Sequence, residues 1–192
     1  SVTGDGIAFE LAPWTAQRPM RHAWVNLAAP RAVMAGLAAG APATALPRKV
    51  FVSRQDTRML SNAGEIEAIL KPMGFETVFP ETLSAADQIR LIRGADEIVA
   101  IHTAGLAPLL YCDPDHRPRR LIELLPCGHM TDVYRAMAAE VGCDWIGVRG
   151  RIKPEYVRQA YQLDQPFKAH SLDNFEIDPV SLTRAVELAD AL

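Results

Sequence analysis

Between residues 48 and 149, short apolar runs alternate with amphipathic segments. The runs are KVFVS (49–53), FETVF (75–79), EIVAI (97–101), RLIEL (120–124) and WIGV (145–148). Each is too short for a helix and rich in β-branched or aromatic residues, so each is predicted as a strand. Consecutive apolar residues, as in Ile98-Val99-Ala100-Ile101, mark a strand covered on both faces. Between the runs, apolar positions recur at helical spacing: Ile66, Ile69 and Leu70, then Ile89, Leu91 and Ile92, then residues 131–141. Asn62 with Glu65, and Ser84 with Asp87, are predicted to cap the first two helices reciprocally. Gly74, Gly94 and Gly142 stand where these helices end. Residues 106–111 read as a short apolar helix. Residues 31–39, after Pro30, read as an alanine-rich one. Asp178-Pro179 opens a last helix, whose Val180, Leu182, Val186 and Leu188 are expected to pack on something.

Strict strand–helix alternation with short connections predicts an α/β fold, a Rossmann-like doubly wound parallel sheet over residues 46–150. Residues 1–30 show no clear period, and residues 1–45 as a whole read as an arm and linker, the remnant of a preceding domain. Residues 151–192 read as an extension, polar and irregular before its terminal helix.

Composition narrows the function classes. A net charge of −3 gives no electrostatic case for nucleic acid or an anionic membrane. No apolar run spans a bilayer, and the opening residues lack a signal-peptide pattern, which points to the cytoplasm, with a peripheral place on the inner membrane face left open. The three cysteines, Cys112, Cys127 and Cys143, form no zinc spacing and read as reduced thiols. The histidines are scattered, so no metal is expected. No GxGxxG follows the first strand and no GxxxxGK[ST] occurs, so neither a nicotinamide cofactor nor a P-loop is supported.

Candidate chemistry gathers where the third strand ends in His102-Thr103-Ala104-Gly105. In open α/β sheets, ligands sit beyond the carboxyl ends of the strands, where helix N-termini attract anions. A histidine, a hydroxyl and a glycine there suit a phosphate. A plain turn that needed small residues is the alternative.

The runs KVFVSRQDTR, SNAGEIEAILKPMGFETVFPETLSAADQIRLIRGADEIVAIHTAGL and RRLIELLP resemble the carboxyl half of glycosyltransferase family 61, which includes bacterial capsular polysaccharide proteins and eukaryotic transferases. The resemblance covers residues 48–150. It implies a GT-B architecture, in which two Rossmann-like domains face each other across a donor cleft, with this domain holding the donor. It also implies a nucleotide-sugar as substrate rather than cofactor, and a carbohydrate acceptor hydroxyl. The transfer it implies is inverting and metal-independent, in surface polysaccharide assembly. A missing amino-terminal domain or a partner chain would complete the cleft, and residues 1–192 alone are expected to bind without transferring.

The motif positions are Ser53, Arg54, Gln88, His102, Thr103, Ala104, Gly105, Leu106 and Glu123, with Arg58 beside them. Arg54 would grip the diphosphate. His102 would donate to a phosphate oxygen, and residues 103–106 would offer backbone N–H groups. Glu123 would accept from ribose hydroxyls, or else pair with Arg119 or Arg120. Gln88 and Arg58 also read as polar positions on a helix and a loop. No residue is assigned as general base. Thr103 stands where the family has glycine, and Ala107-Pro108 where it has a polar residue. Those departures motivate a second reading, a non-catalytic nucleotide-sugar-binding or scaffold module. An unrelated Rossmann-like domain is a third.

Overall fold

The computed structural model describes residues 7–9, 22–24, 27–40, 45–127, 131–152 and 172–190. Trp14, His129, His170 and most of the irregular stretch before Asp178 therefore lie outside the described residues. Near the start, β1 (Ile7–Phe9) pairs antiparallel with β2 (His22–Trp24), an element that no sequence period announced. Helix α1 (Ala28–Gly40) follows and packs on elements of the main domain rather than standing off as an arm.

The main sheet has five parallel strands: β3 (Lys49–Val52), β4 (Glu76–Val78), β5 (Glu97–Ile101), β6 (Arg120–Leu125) and β7 (Asp144–Arg149). All lie within a residue of the predicted bounds. Every residue of β5 and β6 is buried, the apolar positions as expected and Glu97, Arg120 and Glu123 with them. The spatial order is β4-β3-β5-β6-β7. The chain steps outward from β3 to β4, then returns across β3 to build the other side. The order therefore reverses between β3 and β5, which makes their carboxyl ends the topological switch point.

Helix α2 (Ala63–Leu70) covers one face, joined there by α5 (Pro179–Asp190). Helices α3 (Ala85–Gly94) and α4 (Val133–Val141), with a 3-10 helix at Ala104–Tyr111 between them, cover the other. Two apolar cores result, one on each side of the sheet. Gly74 (φ 87°) and Gly142 (φ 70°) end their helices in the left-handed conformation that favours glycine.

Three local expectations change. Ser84 caps α3 as predicted, accepting from Asp87 N–H at 3.1 Å. Asn62 does not cap α2. Its amide donates to Ile177 O at 2.8 Å and accepts from Ile177 N–H at 3.3 Å, so it clamps the carboxyl-terminal segment. That segment is part of the main core rather than an extension: Phe175, Ile177 and Leu182 are fully buried. In α5, Leu182, Ala185, Val186 and Ala189 face the sheet, while Val180 and Leu188 are exposed, because the buried stripe follows the small residues.

Burial also sets the thiols apart. It pushes Cys112 and Cys143 each up to about 12. A raised thiol value leaves roughly one thiolate in ten thousand at pH 8. Cys127 is half-buried. Of these three, Cys127 is expected to react alone with a thiol reagent at pH 8. Fast labelling of three thiols in folded protein, counted by mass spectrometry, would contradict this packing.

Candidate functional site

Arg54 follows β3 and His102 follows β5 directly. Val52 pairs with Ala100 in the ladder, so the two residues stand level at the switch point. Ser53, buried, prolongs the ladder by donating its N–H to Val78 O at 3.0 Å. The chain then turns outward, and Arg54 leaves the sheet. Its guanidinium donates to Asp56 Oδ1 (2.9 and 3.2 Å) and to Thr57 Oγ1 (3.2 Å). Asp56 is held below the usual carboxylate range, first by the Thr57 backbone N–H and then by Arg54.

A cleft of about 240 Å³ opens beside Arg54. The 3-10 helix, with Thr103, Ala104 and Gly105, forms one wall; Pro80, Glu81 and Gln88 form the other. Gly105 is required by this wall. A Cβ there would lie 2.8 Å from Pro80 Cγ. Gln88 spans the second wall internally, donating to Pro80 O (3.0 Å) and Leu83 O (3.3 Å). Its amide nitrogen therefore shapes the cleft. The cleft is smaller than a site for a drug-sized ligand, about 300–1,000 Å³, and matches a phosphate group or two. A larger groove of about 680 Å³ lies between α2 and β4, away from the switch point and from every residue of this cluster.

The backbone donors expected at residues 103–106 are partly committed. Thr103 Oγ1 accepts from Gly105 N–H at 3.3 Å, and Thr103 O accepts from Leu106 N–H at 3.1 Å. The Thr103 hydroxyl thus caps its own helix. Leu106 itself is fully buried in the core. Ala104 N–H, at the first helical position, has no intrahelical partner.

Behind the cleft lies a buried polar cluster. Arg58 has φ 57°, a left-handed backbone that non-glycine residues seldom adopt. It donates through Nη1 to His102 O at 2.9 Å. Burial, and then the Arg54 charge, hold it below the usual arginine value. His102 Nδ1 lies 2.5 Å from Glu123 Oε1, and Trp145 Nε1–H donates to Glu123 Oε2 at 2.7 Å. Tyr134 of α4 places its ring 5.2 Å from the His102 ring. Its phenol is pushed up to about 12, by burial first and by the Glu123 charge second.

Glu123 corrects its expected role. It is fully buried with both oxygens engaged, so it stands behind His102 rather than against a ribose. Arg119 and Arg120 meet Glu97 at the opposite, amino end of the sheet. Of the sequence candidates, the structure gathers Ser53, Arg54, Arg58, Gln88, His102–Gly105 and Glu123 at one edge, with Leu106 behind them in the core. Tyr134 and Trp145 were missed. The indole N–H two residues before a strand glycine was the one available signal. Among the described residues, no group of three His, Cys, Asp or Glu is placed to hold a metal, and no helix is long and apolar enough to cross a membrane.

The fold and the cleft define a doubly wound α/β domain with a basic side chain poised at its switch point. The family model described as Glycosyltransferase 61 matches residues 8–117. The chain belongs to glycosyltransferase family 61. It is 28% identical over 140 residues to alpha-1,3-arabinosyltransferase XAT3 of Oryza sativa subsp. japonica, covering 71% of this chain and 20% of that protein. It is 27% identical over 131 residues to alpha-1,3-arabinosyltransferase XAT2 of the same plant, covering 67% and 19%. The chain thus spans about a fifth of the length of these relatives.

Proposed function

We propose that this domain holds the diphosphate of a nucleotide-sugar donor in a glycosyl transfer to a carbohydrate hydroxyl. The observation that carries the reading is Arg54 at the β3–β5 switch point, facing a phosphate-sized cleft walled by the first turn of the 3-10 helix. A leaving diphosphate gains negative charge as the glycosidic bond breaks. A fixed guanidinium and a helix N-terminus stabilise that charge without a metal. A GT-B arrangement fits the reading, since a half-cleft of this size leaves the sugar and acceptor to a second wall. Family membership and the rice relatives support the transferase class. They lend nothing to the bacterial capsular setting implied by the resemblance, nor to any compartment.

In the ligand-free domain Asp56 occupies Arg54. Asp56 is exposed, and exposed ion pairs contribute little, so a diphosphate displaces it at little cost. Asp56→Asn is therefore expected to tighten diphosphate binding by up to about fivefold. The test of the whole reading is calorimetry of residues 1–192 with nucleoside diphosphates and their parent nucleosides. Diphosphates should bind and nucleosides should bind far more weakly. Equal affinity for both would place the contacts elsewhere. The non-catalytic binding module remains the second reading, favoured by Thr103 using its hydroxyl to cap the helix. Nucleotide release by the natural full-length protein with an acceptor separates the two.

A further inference from the structure

Glu123 sits in the middle of β6, directly opposite Gly147 of β7. Trp145, two residues earlier on β7, shares a sheet face with Gly147. Its indole lies forward along the strand over Gly147, where a Cβ would meet the ring at 2.6 Å. The missing side chain is what lets the indole reach across to Glu123 Oε2. The other oxygen, Oε1, faces His102 Nδ1 at 2.5 Å, in a fully buried position.

An indole N–H can only donate, and an ionised carboxylate can only accept. With both Glu123 oxygens accepting, the row runs in one direction: Trp145 donates to one oxygen and His102 Nδ1–H to the other. We propose that Glu123 and Trp145 are positioning residues that hold a ring proton of His102 on Nδ1 and so fix the tautomer and orientation of that ring behind the cleft. Its bearing on the transfer rests on the proposed function.

The row makes an unusual genetic prediction. In Glu123→Gln the side chain has one oxygen and one NH2 group. Trp145 claims the oxygen, because two donors cannot face each other, and the NH2 group turns to His102. The ring must then accept at Nδ1 and carry its proton on Nε2, the wrong tautomer known to disable histidines oriented by a carboxylate. Removing the indole frees the amide to flip. Glu123→Gln/Trp145→Phe should return the proton to Nδ1.

The experiment labels the histidines of residues 1–192 with 15N and reads two-bond proton–nitrogen correlations at neutral pH, with His102 assigned by its loss in His102→Asn. Wild type should show Nδ1 protonated, Glu123→Gln should show it bare, and the double variant should show it protonated again. If Trp145→Phe loosens the core, Gly147→Ala displaces the indole from the exposed side of the strand and replaces it in the double variant. Inorganic pyrophosphate affinity should change less than threefold in Glu123→Gln, whereas general loosening of the site would weaken it along with the tautomer signal. A bare Nδ1 in wild type overturns the proposal, whatever the other variants do. An unchanged tautomer in Glu123→Gln removes Glu123 from the role, and failure of both double variants to restore it removes Trp145. Absence of pyrophosphate binding in wild type would defeat the diphosphate reading and leave the tautomer result standing.

Discussion

Replacing Arg54 with Ala is expected to weaken nucleoside diphosphate binding by about 1.5–3 kcal/mol, roughly ten- to a hundredfold. That range belongs to hydrogen bonds made with charged groups, and Arg54 brings several N–H donors on one rigid plane. Its present partners are Asp56 and Thr57, both in its own loop, so the substitution breaks no link between elements of the fold. The melting temperature without ligand should therefore change little. Arg54→Lys is expected to recover part of the affinity, since the charge stays while the planar fork is lost. Titration calorimetry on wild type and both variants checks this ordering. Equal affinity in all three would take Arg54 out of the site.

Phe175→Ala is expected to cost about 3–5 kcal/mol of stability, the usual range for emptying a buried aromatic position. Phe175 is fully buried. Its backbone accepts from Ser61 N–H at 2.8 Å and donates to Met59 O at 3.0 Å, an isolated parallel bridge beside Leu60. Nearby, Leu172 O accepts from Arg58 N–H at 3.1 Å, and Asn174 Oδ1 accepts from Met59 N–H at 3.0 Å. The segment therefore buttresses the loop that carries Arg54 and the left-handed Arg58. The variant should lower the melting temperature by about 10 °C or more and also weaken diphosphate binding. A thermal melt with and without pyrophosphate measures both. An unaltered melting temperature would show that the loop is held by something else.

These two residues mark what was legible in the sequence. Arg54 was visible because it follows a strand that is apolar throughout, and strand ends in a parallel sheet locate the site by topology. The central strands were visible for the same reason, since burial on both faces favours apolar runs, whereas the edge strands β4 and β7, partly exposed, were visible by their β-branched and aromatic residues. Phe175 was not visible, being a lone aromatic in a polar stretch without period. Asn62 looked like a helix cap because its local neighbours fit the pattern, but its partner lies 115 residues away. Glu123 was rightly placed on a strand near the site. Its contacts depend on register across three strands and on the absence of a side chain at Gly147, which a single sequence does not display.

The clamp between Asn62 and Ile177 also bears on the order of folding. The parallel sheet is assembled by crossovers between neighbours in sequence, whereas one of its two cores is completed only when residues 175–189 return to α2. Closing so long a loop costs entropy before any contact offsets it, and contacts of that separation form slowly. Docking of α5 should accordingly be a late step, with α3, the 3-10 helix and α4 settling first on the opposite face. Pulsed hydrogen exchange would see amides of β5 and β6 protected earlier than those of α5. During that interval Leu60, Ile66 and Leu70 would be uncovered. The same interval leaves the Arg58 loop without its buttress, so the binding edge matures only when the end of the chain arrives.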